Sequence, residues 1–185
     1  MGLVDARHGA RPQVAVSGSD MLNEPFHFLF LLEKPSYVEM HEVRTDLEVL
    51  AARLAAERRT EEELAALESG LKLMCEHDDD DLTRSLNRQF HGQIALASQN
   101  SVVERMLFSL HEVRHVYFQS SGIRALPERN DIHDRILSGI RRRDAEAAGE
   151  AMAEDTRHAL DIRVNHQPAA DAEMRSPGRL DAQVA

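Results

Sequence analysis

The sequence is poor in the residues that build sheets, disulfide scaffolds and membrane spans. It has no tryptophan, 4% aromatic residues, nine glycines and six prolines. Its single cysteine, Cys75, excludes an internal disulfide and suits a reducing compartment. The N-terminus lacks the apolar core of a signal peptide, and the most apolar run, FHFLFLL at 26–32, is far too short to cross a bilayer. We therefore expect an all-α protein in the cytoplasm that does not contact the membrane.

Positive charge is also scarce. The chain has 22 Lys and Arg against 32 Asp and Glu, which gives a formal net charge of −10. Such a chain is repelled by phosphates unless its basic residues are gathered on one face. Only short basic clusters occur, at 58–59 and 141–143, and both suit the last turns of helices. The composition predicts that this chain, as given, makes no direct contact with nucleic acid.

What the sequence does contain is clear helix punctuation. Ser or Thr followed three residues later by Glu forms a capping box, which opens a helix. Asn and Asp before an apolar period serve as simpler caps. The resulting seven segments predict an antiparallel bundle of about six to seven helices with short loops. The boxes are Ser36–Glu39, Thr60–Glu63 and Ser101–Glu104, and the simpler caps are Asn23 and Asp144.

The pattern also predicts the extent of the domain. Residues 1–22 have no period and are expected to be a flexible lead-in, and residues 166–185 are expected to be a disordered tail. The helical domain should occupy residues 23–165. In its long second helix, the expected core face consists of Val43, Leu47, Leu50 and Leu54.

Three of the predicted helices carry metal-capable side chains beside their apolar faces. Asn87 and His91 lie four residues apart on one helix, His133 lies on another, and Asp155 lies on the last, with His158 a turn beyond it. Two imidazoles, a carboxylate and an amide oxygen suit a transition metal. The chain has ten histidines, and any one of them beside an apolar face is more often a hydrogen-bonded residue at the core margin than a metal ligand. Spacing alone leaves both interpretations open.

Three stretches of the chain resemble a known family. Residues 42–67, 90–107 and 133–155 are similar to the FCD domain, the C-terminal effector-binding domain of FadR-subfamily regulators in the GntR family of transcriptional regulators. The segment NEPFHFLFLL also resembles the linker helix that precedes this domain, so the similarity runs from about residue 24 to residue 162. It implies an antiparallel all-α bundle, usually dimeric, whose cavity binds small organic acids, often beside a divalent metal.

The resemblance also implies a ligand set for that metal. His91 and His133 match two of the family's histidines, while Asn87 stands at the usual Asp position and Asp155 at the position of a third His. We expect zinc, nickel or manganese to be held by His91, His133 and Asp155, with Asn87 as a weak fourth ligand and His158 as a substitute. Binding should be weaker or differently selective than in relatives with all four usual ligands.

Further positions are implied for the effector. Arg44 matches the Arg of the family's E-V-R element and suits a small carboxylate, although a helix-surface ion pair with Glu48 explains it equally well. Asn100 matches an Asn before the fifth helix, for which a cap is the simpler interpretation. Arg114 is a third candidate, from its place near core residues of the same helix.

Together these features favour a ligand-sensing domain that forms a homodimer and is not an enzyme. About twenty residues precede the linker-like segment, so we expect no winged helix-turn-helix in the chain as given. One alternative is a metal-free dimerisation or interaction module with a vestigial cavity. The other is a metal-dependent enzyme, which is disfavoured because no general base, nucleophile constellation or phosphate loop accompanies the ligand pattern.

Overall fold

The computed structural model describes residues 4–5, 13–14, 23–76, 80–117 and 128–166. Helices account for nearly all of this part of the chain, so the all-α prediction is confirmed. The one sheet in it is an antiparallel pair in which Val4 faces Val14. The elements are β1 (Val4–Asp5), β2 (Gln13–Val14), α1 (Asn23–Glu33), α2 (Tyr37–Arg58), α3 (Glu61–Cys75), α4 (Asp80–Ala97), α5 (Ser101–Tyr117), α6 (Glu128–Arg141) and α7 (Ala145–His166).

The predicted terminal segments fall mostly outside the described residues. The lead-in at 1–22 contains β1 and β2, and the rest of it is not described. The predicted tail, 166–185, begins at the last residue of α7, and 167–185 are not described. Within the described part of the chain, no helix is both long and apolar enough to cross a lipid bilayer.

Two predicted capping boxes are confirmed. Ser36 Oγ accepts a hydrogen bond from the Glu39 backbone N–H at 3.2 Å, and the Glu39 carboxylate accepts one from the Ser36 N–H at 2.7 Å. Thr60 and Glu63 form the same reciprocal pair at 3.1 and 2.7 Å. Each box satisfies backbone donors that the first helical turn leaves without a partner. These local contacts fix where α2 and α3 begin.

The third predicted box is wrong. The cap of α5 is Asn100, whose Oδ1 accepts hydrogen bonds from the N–H groups of Val102 and Val103 at 3.2 and 3.3 Å. Ser101 is already the first helical residue, so its hydroxyl is one position too late to cap. Asn23, likewise predicted as a cap, is the first residue of α1. At α7 the predicted cap is confirmed, because Asp144 Oδ1 accepts from the Ala147 N–H at 3.0 Å.

The predicted core face of α2 is also wrong. Val43 and Leu50 are 50% and 42% exposed, and Leu47 and Leu54 are only half-buried. The true inward face is displaced by one residue, about 100° around the helix. It combines polar side chains in its first half with small ones in its second, which let α4 and α7 approach closely. Its buried members are Tyr37, Met40, His41, Arg44, Glu48, Ala51, Ala52, Ala55 and Ala56.

Helix α2 is the centre of the bundle, in contact with α4, α5, α6 and α7. The main apolar core lies between α2, α3, α4, α6 and α7 and the first half of α5, and a smaller cluster joins α1, α2 and α5 around Phe30 and Leu110. Helices α6 and α7 form a tight hairpin. A Cβ added to Gly139 would lie only 2.6 Å from the backbone nitrogen of Ala148. The backbones of α6 and α7 therefore touch where no side chain fits between them.

The corrected cap of α5 gives a stability prediction. Replacing Asn100 with Ala should lower the free energy of unfolding by about 1 kcal/mol, because two backbone donors lose their acceptor. Ser101→Ala, one residue later, should change it by less than about 0.5 kcal/mol. Urea unfolding of both variants, followed by circular dichroism, distinguishes the two caps. A larger loss for Ser101→Ala than for Asn100→Ala would restore the capping-box assignment.

Candidate metal and effector site

Three helices bring their predicted ligands together in the interior. His91 on α4, His133 on α6 and Asp155 on α7 are 3%, 1% and 0% exposed. His91 Nε2 lies 3.4 Å from Asp155 Oδ2, and His133 Nε2 lies 3.2 Å from Asp155 Oδ1. One ligand atom from each residue falls within 4.8 Å of the other two. Two histidines that lie 64 and 22 residues before Asp155 in the sequence thus contact its carboxylate.

These three residues fit a divalent metal. Ligand atoms held at about 2.1 Å from one ion in a tetrahedral site lie about 3.4 Å from each other. The three candidate ligand atoms, which lie within 4.8 Å of one another, are close enough to reach that arrangement with small side-chain shifts. Both ring nitrogens of His91 are buried and make no well-aligned hydrogen bond with the described part of the protein. Buried imidazole nitrogens usually have a partner, and a metal is one that this donor set suits.

A second buried carboxylate, Glu48 on α2, lies behind His91. Its Oε2 is 2.7 Å from His91 Nδ1, a close contact whose N–H direction is poor for a hydrogen bond. Its Oε1 accepts from Arg44 Nε at 2.6 Å and lies 3.3 Å from His111 Nε2. Glu48 therefore joins α2 to α4 through His91 and to α5 through His111, while Arg44 on α2 itself supplies the counter-charge. It contacts the outer nitrogen of His91 while the inner nitrogen faces Asp155.

The protonation of Glu48 is set by these neighbours. Burial on its own would raise the pKa of its carboxyl group, but the charge of Arg44 and the contacts with His91 and His111 hold that pKa well below its usual range. Burial also works against the charge of Arg44, yet the adjacent Glu48 raises the pKa of the guanidinium. The pair is thus ionised inside the protein, where each charge compensates the other.

Two further histidines near this pair are neutral. Burial, together with the charge of Arg44, lowers the pKa of His41 to about 4, although its Nε2 is hydrogen-bonded to the Thr156 carbonyl at 2.9 Å. Burial lowers the pKa of His111 to about 4 as well, against the opposing contact with Glu48. Both imidazoles are uncharged at neutral pH because the low-dielectric interior disfavours a further positive charge beside Arg44.

Sequence reasoning missed Glu48, His41 and His111 as members of this site. Glu48 appeared only as a surface partner for Arg44, and the pair is in fact buried. The available signal was its place four residues after Arg44 and three before Ala51, on one helical face that ends in small residues. The row of leucines on α2 is more hydrophobic than the row of alanines, so the hydrophobic pattern indicated the wrong face of the helix.

The other predicted ligands lie in different places. Asn87 is half-buried on α4, one turn before His91, and its role as a fourth ligand stays a prediction. His158 does not join the set of donors that converge within the described structure. Its Nε2 is buried without a hydrogen-bond partner among the described atoms, three residues after Asp155 on α7.

The predicted effector residues differ in what they contact. Arg44 is buried and paired with Glu48. Arg114 is half-buried on α5, and burial lowers the pKa of its guanidinium to about 10, with the charge of Arg44 adding to this effect. Its Nε has no hydrogen-bond partner among the described residues. Asn100 uses its side-chain oxygen to cap α5, and its role in effector binding stays a prediction.

A cleft between α4 and α5 reaches this cluster from the surface. It has a volume of about 320 Å³, near the lower limit for small-molecule sites. His91 and His111 both line it, so it borders the two imidazoles that contact Glu48. We call it the α4–α5 cleft; the remaining lining residues are Ser85, Arg88, Gln89, Gly92, Ala95, Glu104, Leu107, Phe108 and Glu112.

Comparison with protein families identifies the chain. The model of the FCD domain matches residues 39–158, which include Glu48 and all three converging ligands. The chain belongs to the FCD domain family. The earlier resemblance is thereby confirmed, and an effector-binding regulatory role follows at the level of the family.

Two relatives of this FCD domain are transcriptional regulators. It is 28% identical over 163 residues to the HTH-type transcriptional regulator LutR of Bacillus subtilis, covering 82% of this chain and 73% of that protein. It is also 28% identical over 131 residues to the galactonate operon transcriptional repressor of Escherichia coli, covering 66% of this chain but only 57% of the repressor. These relatives agree with the prediction that the chain is not an enzyme.

Solved structures support the fold. GntR of Streptococcus agalactiae has a TM-score of 0.64 and 22% identity, with 86% of this chain and 75% of that one covered. McbR/YncC of E. coli has a TM-score of 0.60 and 19% identity, with 88% and 73% covered. The seven-helix arrangement of this FCD domain is therefore that of GntR-type proteins.

The neutral histidines predict that the FCD domain loses stability in mild acid. The folded pKa values of His41 and His111, about 4, lie below the value of about 6.5 in an unfolded chain. Between these values the unfolded state binds more protons, so the free energy of unfolding falls as the pH falls. The upper limit is about 3 kcal/mol for each histidine. The stabilisation from the neutral histidines is fully present above the unfolded histidine pKa of about 6.5.

The measurement is urea unfolding at a series of pH values with a chelator present. His111→Gln should reduce the pH dependence within this window, whereas replacement of the exposed His115 by Gln should leave it unchanged. Glu48 adds a loss of stability only as the pH falls through the unfolded carboxyl pKa of about 4.5, and that loss continues to lower pH because its folded pKa lies well below this value. If the free energy of unfolding did not change between pH 6.5 and pH 4, the assignment of neutral, buried histidines would be wrong.

Proposed function

We propose that this FCD domain senses a small carboxylate beside a divalent metal held by His91, His133 and Asp155. The observation that supports the proposal is the convergence of two buried imidazoles on one buried carboxylate. Zinc, nickel and manganese are the candidate metals. Asn87 adds a hard oxygen donor one turn from His91, which suits a weak fourth ligand.

The charge of this set favours an anionic effector. Two neutral imidazoles and one carboxylate carry a single negative charge, so a divalent cation leaves one positive charge uncompensated in the interior. Arg44 and Glu48 compensate each other and do not change this balance. When bound, the metal supplies a positive centre that attracts and orients a carboxylate. A neutral ligand would leave that buried charge unpaired, at a cost in free energy.

Among the protein's own cations, Arg114 is better placed than Arg44 to meet the effector. The guanidinium of Arg44 already donates to Glu48, whereas Arg114 Nε has no acceptor among the described residues. A carboxylate that accepts from Arg114 would satisfy this buried donor and relieve the repulsion between the two arginines. Arg44 then acts indirectly, because it holds Glu48 in its charged form.

The functional output would be a shift between bundle geometries. The ligands of the proposed metal come from three different helices, so an occupied site stabilises one arrangement of α4 against α6 and α7. In a GntR-type regulator, such a shift would change the spacing of attached DNA-binding domains. The effector and the metal would then raise each other's affinity, as linkage requires.

Metal content tests the site. Protein purified without chelators or a histidine tag should contain close to one zinc, nickel or manganese ion per chain by elemental mass spectrometry. His91→Ala, His133→Ala and Asp155→Ala should each lose this metal, because two ligands rarely hold such an ion. Metal at 100 times its dissociation constant should stabilise the wild type by about 2.7 kcal/mol and the variants by far less.

His158→Ala is the matched control, since it removes a nearby buried imidazole that lies outside the set. It should retain the metal. Loss of metal in His158→Ala but not in Asp155→Ala would mean that His158 is the third ligand. If the wild type takes up none of the three metals on dialysis, the domain is a metal-free dimerisation module.

We also propose that the domain forms a homodimer through the outer face of α1. Among the described elements, α1 packs mainly on α5, with Phe30 as its buried residue. Phe28, Leu31 and Leu32 on its other faces are 61%, 58% and 72% exposed. Apolar helix faces of this kind usually mark an interface, and a second copy of the chain offers the same face.

Mutation of this face should dissociate the dimer. Phe28 and Leu32 lie one turn apart, so the double variant Phe28→Glu with Leu32→Glu places four like charges across a twofold interface. Light scattering after gel filtration should show a dimer for the wild type and a monomer for the variant. Leu73→Glu, on the exposed side of α3, should remain dimeric. A wild-type monomer, or a dimeric double variant, would contradict this interface.

A further inference from the structure

The α4–α5 cleft has a gradient of exposure that runs towards the proposed metal. At its mouth, Arg88, Phe108 and Glu112 are exposed. At its inner end, His91 is 3% exposed and contacts both Glu48 and Asp155. His111, whose side chain is 16% exposed, lies between them. The cleft is thus a continuous path from solvent to the outer side of a proposed metal ligand.

Gly92 keeps this path open. It lies on α4 next to His91, it is exposed, and it lines the cleft. A Cβ placed on Gly92 would meet no atom within 4 Å. Glycine inside a helix costs about 1 kcal/mol relative to alanine, and close packing does not explain it here. The side chain missing at position 92 therefore corresponds to open space at the wall of the cleft.

We infer that the α4–α5 cleft is the passage by which a small anionic ligand reaches the His91 side of the site, and that the absence of a side chain at Gly92 determines its width. This inference rests on the proposed function for the identity of the ligand. The passage itself depends only on the residues that line it. Large side chains at position 92 will close the cleft and leave Glu48, His91, His133 and Asp155 in place.

The test uses a graded series at this position: Gly92→Ala, Gly92→Leu and Gly92→Phe. The first probe is diethyl pyrocarbonate, a small reagent that acylates neutral imidazoles, applied to the metal-free protein and read by peptide mass spectrometry. His111 is neutral and should react in the wild type. Its rate should be little changed in Gly92→Ala and should fall by about tenfold in Gly92→Phe.

Two internal references control this probe. His115, exposed on the same helix but outside the cleft, should react at the same rate in every variant. Leu73→Phe, on α3, should leave the rate at His111 unchanged. If Gly92→Phe alters the fold, His115 and the circular dichroism will change too, and Gly92→Leu then provides the comparison.

The second probe is the metal alone. Zinc removal by a coloured chelator should slow in the order Ala, Leu, Phe, while the equilibrium zinc affinity stays at the wild-type value. Equal rates at His111 in the wild type and Gly92→Phe, or no reaction at His111 in the wild type, would overturn the passage. A wild type that binds none of zinc, nickel and manganese but shows the graded acylation would refute the proposed metal site and support the passage.

Discussion

The carboxylate of Glu48 is the charge on which the interior of this domain depends. It lies on the central helix, in contact with Arg44, His91 and His111, and it is 2% exposed. A charge buried so deeply is tolerated only when basic partners surround it, and here those partners come from three helices. Removal of the carboxylate would leave Arg44 buried without a counter-charge. The buried polar groups around Glu48 therefore depend on one another, whereas the rest of the bundle is held by apolar packing.

The second carboxylate, Asp155, gives the site its asymmetry. The resemblance to the FCD family implies an acid on α4 and a third histidine on α7, whereas this chain has Asn87 and Asp155 at those positions. The single negative charge is conserved in number but has moved from α4 to α7. There it lies between His91 and His133 and holds one oxygen toward each ring. A metal in this chain would be anchored mainly from the α6–α7 side.

Local features of the fold could be predicted from the sequence, and features that depend on distant residues could not. The boxes at Ser36 and Thr60 and the cap at Asp144 involve groups three residues apart, so pattern alone identified them. The inward face of α2 depends on what α4 and α7 place against it. Alanine, histidine and glutamate face inward there, and leucine does not, because the neighbouring helices approach closely and the buried charges are paired. His91, His133 and Asp155 were identified through the family resemblance, and nothing local in the sequence linked Glu48 or His111 to them.

The contact between Gly139 and Ala148 has a mechanical consequence. Next to the turn that joins them, α6 and α7 touch backbone to backbone at this position, with no side chain between them that could change rotamer, so this end of the hairpin cannot easily slide or widen. His133 and Asp155 both lie on this hairpin. His91 lies on α4, across the candidate site from the hairpin. Helix α4 also borders the α4–α5 cleft. In the proposed sensor, motion that accompanies ligand binding would come from α4, and the α6–α7 hairpin would serve as the fixed frame.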